Sequence, residues 1–203
     1  MTTDKQFTGL ERLSALEARY TGCQGCSLHE SRTKLVHWRG SASARLFIIG
    51  AAPGADEDVA GRPFVGPAGR KLDEALAMTG RTAEDVFATN TVACRPPGNR
   101  QPLIDEVRAC RNRLNTMLDI VRPGAVVMLG GTAAKLMGVS SLKQWRGALT
   151  EWEFLDRGKA RRYPAVCSWH PAYILRQGLG EAALTKVLAG DIATAWEAAN
   201  GAQ

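Results

Sequence analysis

Two continuous apolar runs constrain this chain most: Leu46-Phe47-Ile48-Ile49 and Ala125-Val126-Val127-Met128-Leu129-Gly130. They have strand length and β-branched content, and no polar residue alternates through them. Strands of that kind are buried on both faces, as in a parallel sheet, so helices must cover each side. Val86-Phe87-Ala88-Thr89-Asn90-Thr91-Val92 and Ala165-Val166-Cys167-Ser168-Trp169 read as two more core strands. Helical spacing fills the intervals. Residues 8 to 20 put Leu10, Leu13, Leu16 and Tyr20 on one face, and residues 103 to 121 do so with Leu103, Val107, Leu114 and Leu118. Further helices are expected at about 68–79, ended by Gly80, at 132–137 and at 181–198. This alternation predicts an α/β fold with a mostly parallel sheet and helices on both faces. The chain has 203 residues, 45% of them hydrophobic, and shows no repeats or low-complexity tracts. Residues 1–203 read as a single domain.

The first apolar run stops at Gly50 and feeds a loop, GAAPGADEDVAGRPFVGPAG, over residues 50–69. It carries an acidic trio, Asp56, Glu57 and Asp58, then the aromatic Phe64, before helical sequence resumes near Ala68. Loops that leave the C-terminal ends of strands are where α/β folds put their ligands. Taken alone, the stretch reads equally well as a strand-to-helix connection with a solvated acidic turn. Other connections are punctuated as strongly. Cys94-Arg95-Pro96-Pro97-Gly98-Asn99-Arg100-Gln101-Pro102 excludes helix and central strand. Residues up to Gly40 read as extended, with Val36 and Trp38 on one side. Trp145-Arg146-Gly147 reads as a turn, Thr150 to Phe154 as an outer strand, and the last core strand runs into His170-Pro171-Ala172-Tyr173.

Composition narrows the setting. No window approaches eighteen uninterrupted apolar residues, and the first twenty lack the basic-then-apolar layout of a signal peptide, so a cytoplasmic protein off the membrane is expected. A net charge of +6 and a pI near 9.3 suit a polyanionic partner. Arg95, Arg100, Arg108, Arg111 and Arg113 form one basic stretch, and Lys159, Arg161 and Arg162 another.

Five cysteines in such a chain point to metal or redox chemistry rather than disulfides. Cys23 and Cys26 form a Cys-x-x-Cys turn, and Cys94 and Cys110 lie in a loop and the helix after it. Four thiolates so arranged can close a tetrahedral site, and both zinc and a 4Fe-4S cluster fit the spacing. A thioredoxin-type reading lacks the helix that should follow the motif. Cys167, among apolar strand neighbours, reads as a core thiol.

Taken together, the loop at 50–69, TNTVACRPPGNRQP at 89–102, HPAYILR at 170–176 and the four cysteines resemble the family-4, iron-sulfur branch of the uracil-DNA glycosylases. The resemblance runs from about Cys23 to Arg176, in the family's order and spacing. It implies a three-layer α/β/α domain around a four-stranded parallel sheet, acting on uracil in single- or double-stranded DNA, and a monomer. It implies that Cys23, Cys26, Cys94 and Cys110 ligate a structural 4Fe-4S cluster. By the same resemblance, Phe64 stacks on the extruded base, Asn90 reads its edge and His170 faces the uracil O2. The first motif, Gly50, Ala51, Pro53 and Gly54, borders the base. Pro171, Ala172, Tyr173 and Arg176 press into the DNA, with Arg95 and Arg100 on the basic loop beside it.

The chemistry calls for those residue types independently. A base inside a duplex must be extruded, and an aromatic face recovers about 1–3 kcal/mol by stacking. An Asn amide offers the donor and acceptor that match the O4 and N3-H of uracil and mismatch cytosine. A neutral imidazole can donate to the oxygen on which charge develops as the base departs.

The sequence departs from the family at one position. The usual first motif reads Gly-Glu-x-Pro-Gly, and here the Glu position is Ala51. Glu57 and Asp58 are the carboxylates left to hold water or to stabilise the sugar cation. The loop after the second strand, Arg95 to Arg100, contains no histidine, which disfavours covalent trapping of the sugar. His37, ahead of the first strand, reads as structural or exposed. Three alternatives stand beside uracil excision: a glycosylase for hypoxanthine or xanthine, a binding module for uracil or abasic DNA, and a zinc protein without glycosylase activity.

Overall fold

The computed structural model describes residues 8–156 and 159–201. Residues 1–7, part of the N-terminal stretch read above, and the side chain of Lys159 lie outside the described residues. One sheet organises the chain. Its strands are β1 (Arg39–Gly40), β2 (Leu46–Gly50), β3 (Val86–Asn90), β4 (Ala125–Leu129), β5 (Leu149–Asp156) and β6 (Lys159–Ser168), in the spatial order β1-β3-β2-β4-β6-β5. The inner four are parallel, with Gly50 opposite Asn90 and Met128 opposite Cys167. Both edge strands are antiparallel.

The sheet therefore has six strands, where the family resemblance implied four. The parallel core is as expected, and the two additions have plain causes. β1 is two residues long, too short to show periodicity, and its Gly40 sits at φ +94° with no room for a Cβ beside the Val86 carbonyl. β5 is the outer strand read over Thr150 to Phe154, and it forms a hairpin with β6, whose first half, from Lys159, is too charged to read as a core strand.

Side chains alternate across β2, and that alternation sorts the helices. Phe47 and Ile49 enter a core with Leu13 and Leu16 of α1 (Gly9–Tyr20) and Leu114, Met117 and Leu118 of α4 (Ile104–Val121). Leu46 and Ile48 enter the opposite core with Leu72 and Leu76 of α3 (Pro67–Ala77) and Leu188 and Ile192 of α8 (Glu181–Gly201). The remaining helices are short: α2 (Ala55–Ala60), α5 (Gly130–Ala134), α6 (Leu142–Trp145) and α7 (Pro171–Ile174). Among the described residues no helix is long and apolar enough to cross a membrane.

Three local expectations change. The acidic trio is not in a loop but forms the first turn of α2, because the Glu57 carboxylate caps the helix through the Gly54 amide at 3.0 Å. Leu103 is 57% exposed, because α4 starts after it and Glu106 caps that helix through the Leu103 amide at 2.7 Å. Gly130 opens α5 at the end of β4 instead of closing the strand.

Candidate active site

The four parallel strands end along one edge of the sheet. From β2 the chain passes to β3 on one flank and returns to β4 on the other, so β2 and β4 flank the crevice where such sheets bind ligands. A cavity of about 470 Å³ opens there. It is bordered by Ala51, Pro53, Gly54, Glu57 and Phe64 after β2, Asn90 at the end of β3, and His170 after β6.

Phe64 is held from its backbone. It adopts φ +55°, a conformation that side-chain-bearing residues rarely take. Arg39 Nη1 donates to its carbonyl at 2.9 Å, and the same guanidinium pairs with Asp73 at 2.5 Å. A Cβ at Gly69 would stand 1.8 Å from that carbonyl oxygen, so only glycine lets α3 approach so closely. The ring centroid of Phe64 is 6.4 Å from that of His170.

Asn90 is buried at 2% exposure, and its Oδ1 has no hydrogen-bond partner among the described residues. An orphaned buried acceptor costs about 1–3 kcal/mol, which a ligand N–H recovers. A Cβ at Gly50 would come 2.4 Å from that Oδ1 and 2.7 Å from Phe64 Cζ. Glycine keeps the lane between the amide and the ring open.

His170 caps α7, accepting the Ala172 amide on Nδ1 at 3.1 Å. Nε2 is buried without a partner among the described residues. Burial first, and then the Arg176 charge, push this imidazole down to about 4, so near neutral pH it is uncharged with its proton on Nε2.

The acidic residues divide. Glu57 borders the cavity, and its oxygens accept the amides of Gly54, Val65 and Gly66 at 3.0, 3.1 and 2.9 Å. Three such bonds fix the carboxylate in place and leave about one lone pair free. Asp58 points away, as the next residue on a helix must. Its carboxylate accepts the Thr33 amide at 2.9 Å and the Lys34 amide at 3.4 Å, outside the cavity lining.

The four cysteines converge as well. Cys23, Cys26, Cys94 and Cys110 line one small pocket with Tyr20, Arg32 and Leu35, and all are free thiols. Arg32 Nη1 donates to Cys94 Sγ at 3.4 Å, and burial pushes the thiols of Cys26 and Cys94 up. Four soft donors lining one pocket are a donor set suited to a thiophilic metal or cluster. Among the described residues, however, no three His, Cys, Asp or Glu side chains stand in a metal-holding group.

Comparison with known proteins decides the family. Residues 37–190 match the profile of the uracil DNA glycosylase superfamily. The type-4 uracil-DNA glycosylase of Thermotoga maritima is 35% identical over 189 residues, 92% of this chain and 94% of that one. That of Pyrobaculum aerophilum is 39% identical, covering 81% of this chain and 85% of its own, and that of Archaeoglobus fulgidus 35%, covering 82% and 84%. The chain belongs to the type-4 uracil-DNA glycosylases.

Within this type-4 glycosylase the sequence-predicted residues fall into two groups. Ala51, Pro53, Gly54, Glu57, Phe64, Asn90, Arg100, His170, Ala172, Tyr173 and Arg176 border one cavity. Gly50 shapes it from beneath. Asp58, Arg95 and Pro171 are not in its lining. Arg95 donates to Asn99 Oδ1 at 2.7 Å, and Pro171 is buried at the start of α7. Arg100 is on the rim, yet its guanidinium is already gripped by Glu106 at 2.7 and 2.9 Å. His37 is buried at 8% exposure, on the structural side of the two readings offered for it.

Sequence reasoning missed the supports of this type-4 site. Arg39 grips Phe64, and Arg113 Nη2 donates to the Asn90 carbonyl at 2.5 Å. Trp169 packs against Tyr173 with the rings tilted by 30° and centroids 5.0 Å apart, and Gln101 reaches Thr132 across the rim. One signal was available. Arg113 sits directly before the apolar face of Leu114, Met117 and Leu118, where a charge needs an explanation.

Proposed function

We propose that this protein removes uracil from DNA by hydrolysing its N-glycosidic bond, leaving an abasic site. One observation carries the reading: two buried, unpartnered polar atoms face the same cavity, an acceptor on Asn90 and a donor on His170. The acceptor suits the N3-H of uracil and the donor suits its O2, neighbouring positions on the ring. Cytosine offers an unprotonated N3, so its lone pair would meet the Asn90 oxygen instead.

The residues then act in order. Tyr173 and Arg176, on the segment after His170, meet the DNA as the nucleotide leaves the stack, and Phe64 takes the base face. As the bond from C1′ to N1 breaks, its electron pair moves into the uracil ring and charge gathers on O2. Nε2-H of His170 stabilises that oxygen without itself ionising. Glu57 supplies fixed negative charge toward the sugar cation. Its three amide bonds occupy most of its lone pairs, so it acts as a fixed group more than as a proton acceptor. Water adds to C1′ and releases a proton to solvent. Asp58 has no part in these steps.

Cys23, Cys26, Cys94 and Cys110 would hold the 4Fe-4S cluster, which would supply a cross-link between the turn after α1, the loop after β3, and α4. One chain supplies every group named, so the protein works as a monomer.

The test is release of uracil from a labelled single-stranded oligonucleotide by the wild-type chain beside Ala51→Glu. Cleavage by the wild type supports the reading and shows that a carboxylate at position 51 is dispensable. Cleavage by Ala51→Glu alone would move the protein to the binding-module reading. Cleavage of hypoxanthine or xanthine duplexes, with uracil untouched, would replace the substrate.

A further inference from the structure

Three buried residues share one face of α4 at helical spacing: Glu106, Cys110 and Arg113, exposed by 3%, 9% and 0%. Each reaches toward something different. Glu106 grips Arg100 on the cavity rim and accepts from Ser27 Oγ, next to Cys26, at 3.5 Å. Cys110 lines the cysteine pocket. Arg113 lies under Asn90.

Arg113 is the unusual member. Its Nη2 donates to the Asn90 carbonyl at 2.5 Å, and its Nη1 to Thr89 Oγ1 at 3.1 Å and the His37 carbonyl at 3.2 Å. All of these acceptors are uncharged, Met117 Sδ at 3.5 Å included. Among the described residues no carboxylate pairs with this guanidinium, although it is fully buried. A buried cation without a counter-charge costs several kcal/mol, and proteins avoid it unless the charge is used. One of the pocket thiols, Cys110, stands three residues earlier on the same face of α4.

We infer that Arg113 is a positioning residue that ties the four-cysteine site to the base-reading amide of Asn90. Its fork fixes the last two residues of β3, which aims the Asn90 side chain into the cavity. Its charge balances the thiolates that bound metal requires. Loss of the cluster would leave the cation uncompensated beneath the base site, and loss of the cation would loosen the cluster. The inference rests on the uracil reading of the cavity and on the cluster reading of the cysteines.

The experiment uses the full chain purified anaerobically, as wild type, Arg113→Met and Arg113→Lys, with circular dichroism to confirm folding. The first readout is independent of activity: iron released to a chelator over time, with acid-labile sulfide per chain. Arg113→Met should release iron about ten-fold faster than wild type, the size of effect that outer-shell partners have on metal sites. Arg113→Lys keeps the charge and should hold iron as the wild type does. The second readout is steady-state excision. Arg113→Lys lacks the planar fork and should lose about ten-fold in kcat, with KM for the oligonucleotide within about two-fold. Iron release from Arg113→Met at the wild-type rate overturns the inference, and so does wild-type kcat in Arg113→Lys. If Arg113→Met does not fold, the Arg113→Lys rates decide. A wild-type chain without iron overturns both the cluster reading and this inference. A wild-type chain that holds iron but releases no uracil overturns the reading of the cavity, and iron release from Arg113→Met still decides the tie to the cysteines.

Discussion

His170 Nδ1 accepts the backbone N–H of Ala172 at 3.1 Å, which fixes the ring proton on Nε2. The unpartnered nitrogen beside the cavity is therefore a donor before any substrate arrives. With its titration pushed down to about 4, this donor keeps its form across the neutral range. The acid limb of a pH–rate profile assigned to His170 should fall near 4 rather than at the ordinary imidazole value. His170→Ala should lower kcat about 100- to 1,000-fold, as removal of one oxyanion donor does, with a smaller change in KM.

Two histidines make stability depend on pH. Burial holds His37 and His170 at about 4, below the ordinary 6.5 they regain on unfolding. Between those values the unfolded chain takes up protons that the folded chain refuses. Stability is therefore fully present above about 6.5, falls as pH drops toward 4, and levels off below it. Each histidine contributes up to about 3 kcal/mol to that slope. Urea unfolding of wild type and His37→Gln across this window should show a shallower decline in the variant.

The lane between Asn90 and Phe64 is narrow. Gly50→Ala would place a methyl against Asn90 Oδ1 and Phe64 Cζ, so it should reduce uracil excision at least about ten-fold and cost about 1–3 kcal/mol by overpacking. Asn90→Asp removes the donor for O4 and sets a carboxylate in a buried site, and should abolish detectable excision. A gel assay with alkali cleavage, beside thermal melts, separates the two effects.

Neighbouring acids should behave differently. Glu57→Gln puts an amide nitrogen among three backbone donors, so it should lose both stability, by about 1–3 kcal/mol, and turnover. Asp58→Ala should lower the melting temperature through the freed Thr33 and Lys34 amides, with kcat within about two-fold of wild type. Equal losses of kcat in both variants would contradict this division.

The proposed cluster can be tested by eye and by melting. The wild type should be brown, and Cys94→Ser should lose most of its iron and its visible absorbance. The same variant should melt earlier, because a bound metal or cluster stabilises only the folded chain.

Much of this was legible in the chain because the physics was local. The four core strands announce themselves by apolar runs, and the four cysteines by spacing, and each set lies together in the structure. What stayed hidden depended on contacts distant in sequence. The β1 edge exists because it pairs with β3, and no two-residue strand carries a signal of its own. The acidic trio looks like a loop until Glu57 is seen capping Gly54 and bracing Val65 and Gly66. The parting of Glu57 from Asp58 follows from that helix, which places consecutive residues on different faces. Arg39 and Arg113 touch backbone carbonyls, and a carbonyl leaves no trace in the sequence.

The pocket draws its walls from Gly50, Asn90, Gly130 and His170, which stand at even intervals along the chain. A ribosome making this protein delivers one wall at a time, and the imidazole comes last. Until the β6 strand has emerged and docked beside β4, the nascent chain lacks the His170 wall of the pocket. An N-terminal fragment that stops before β6 should therefore leave uracil in place.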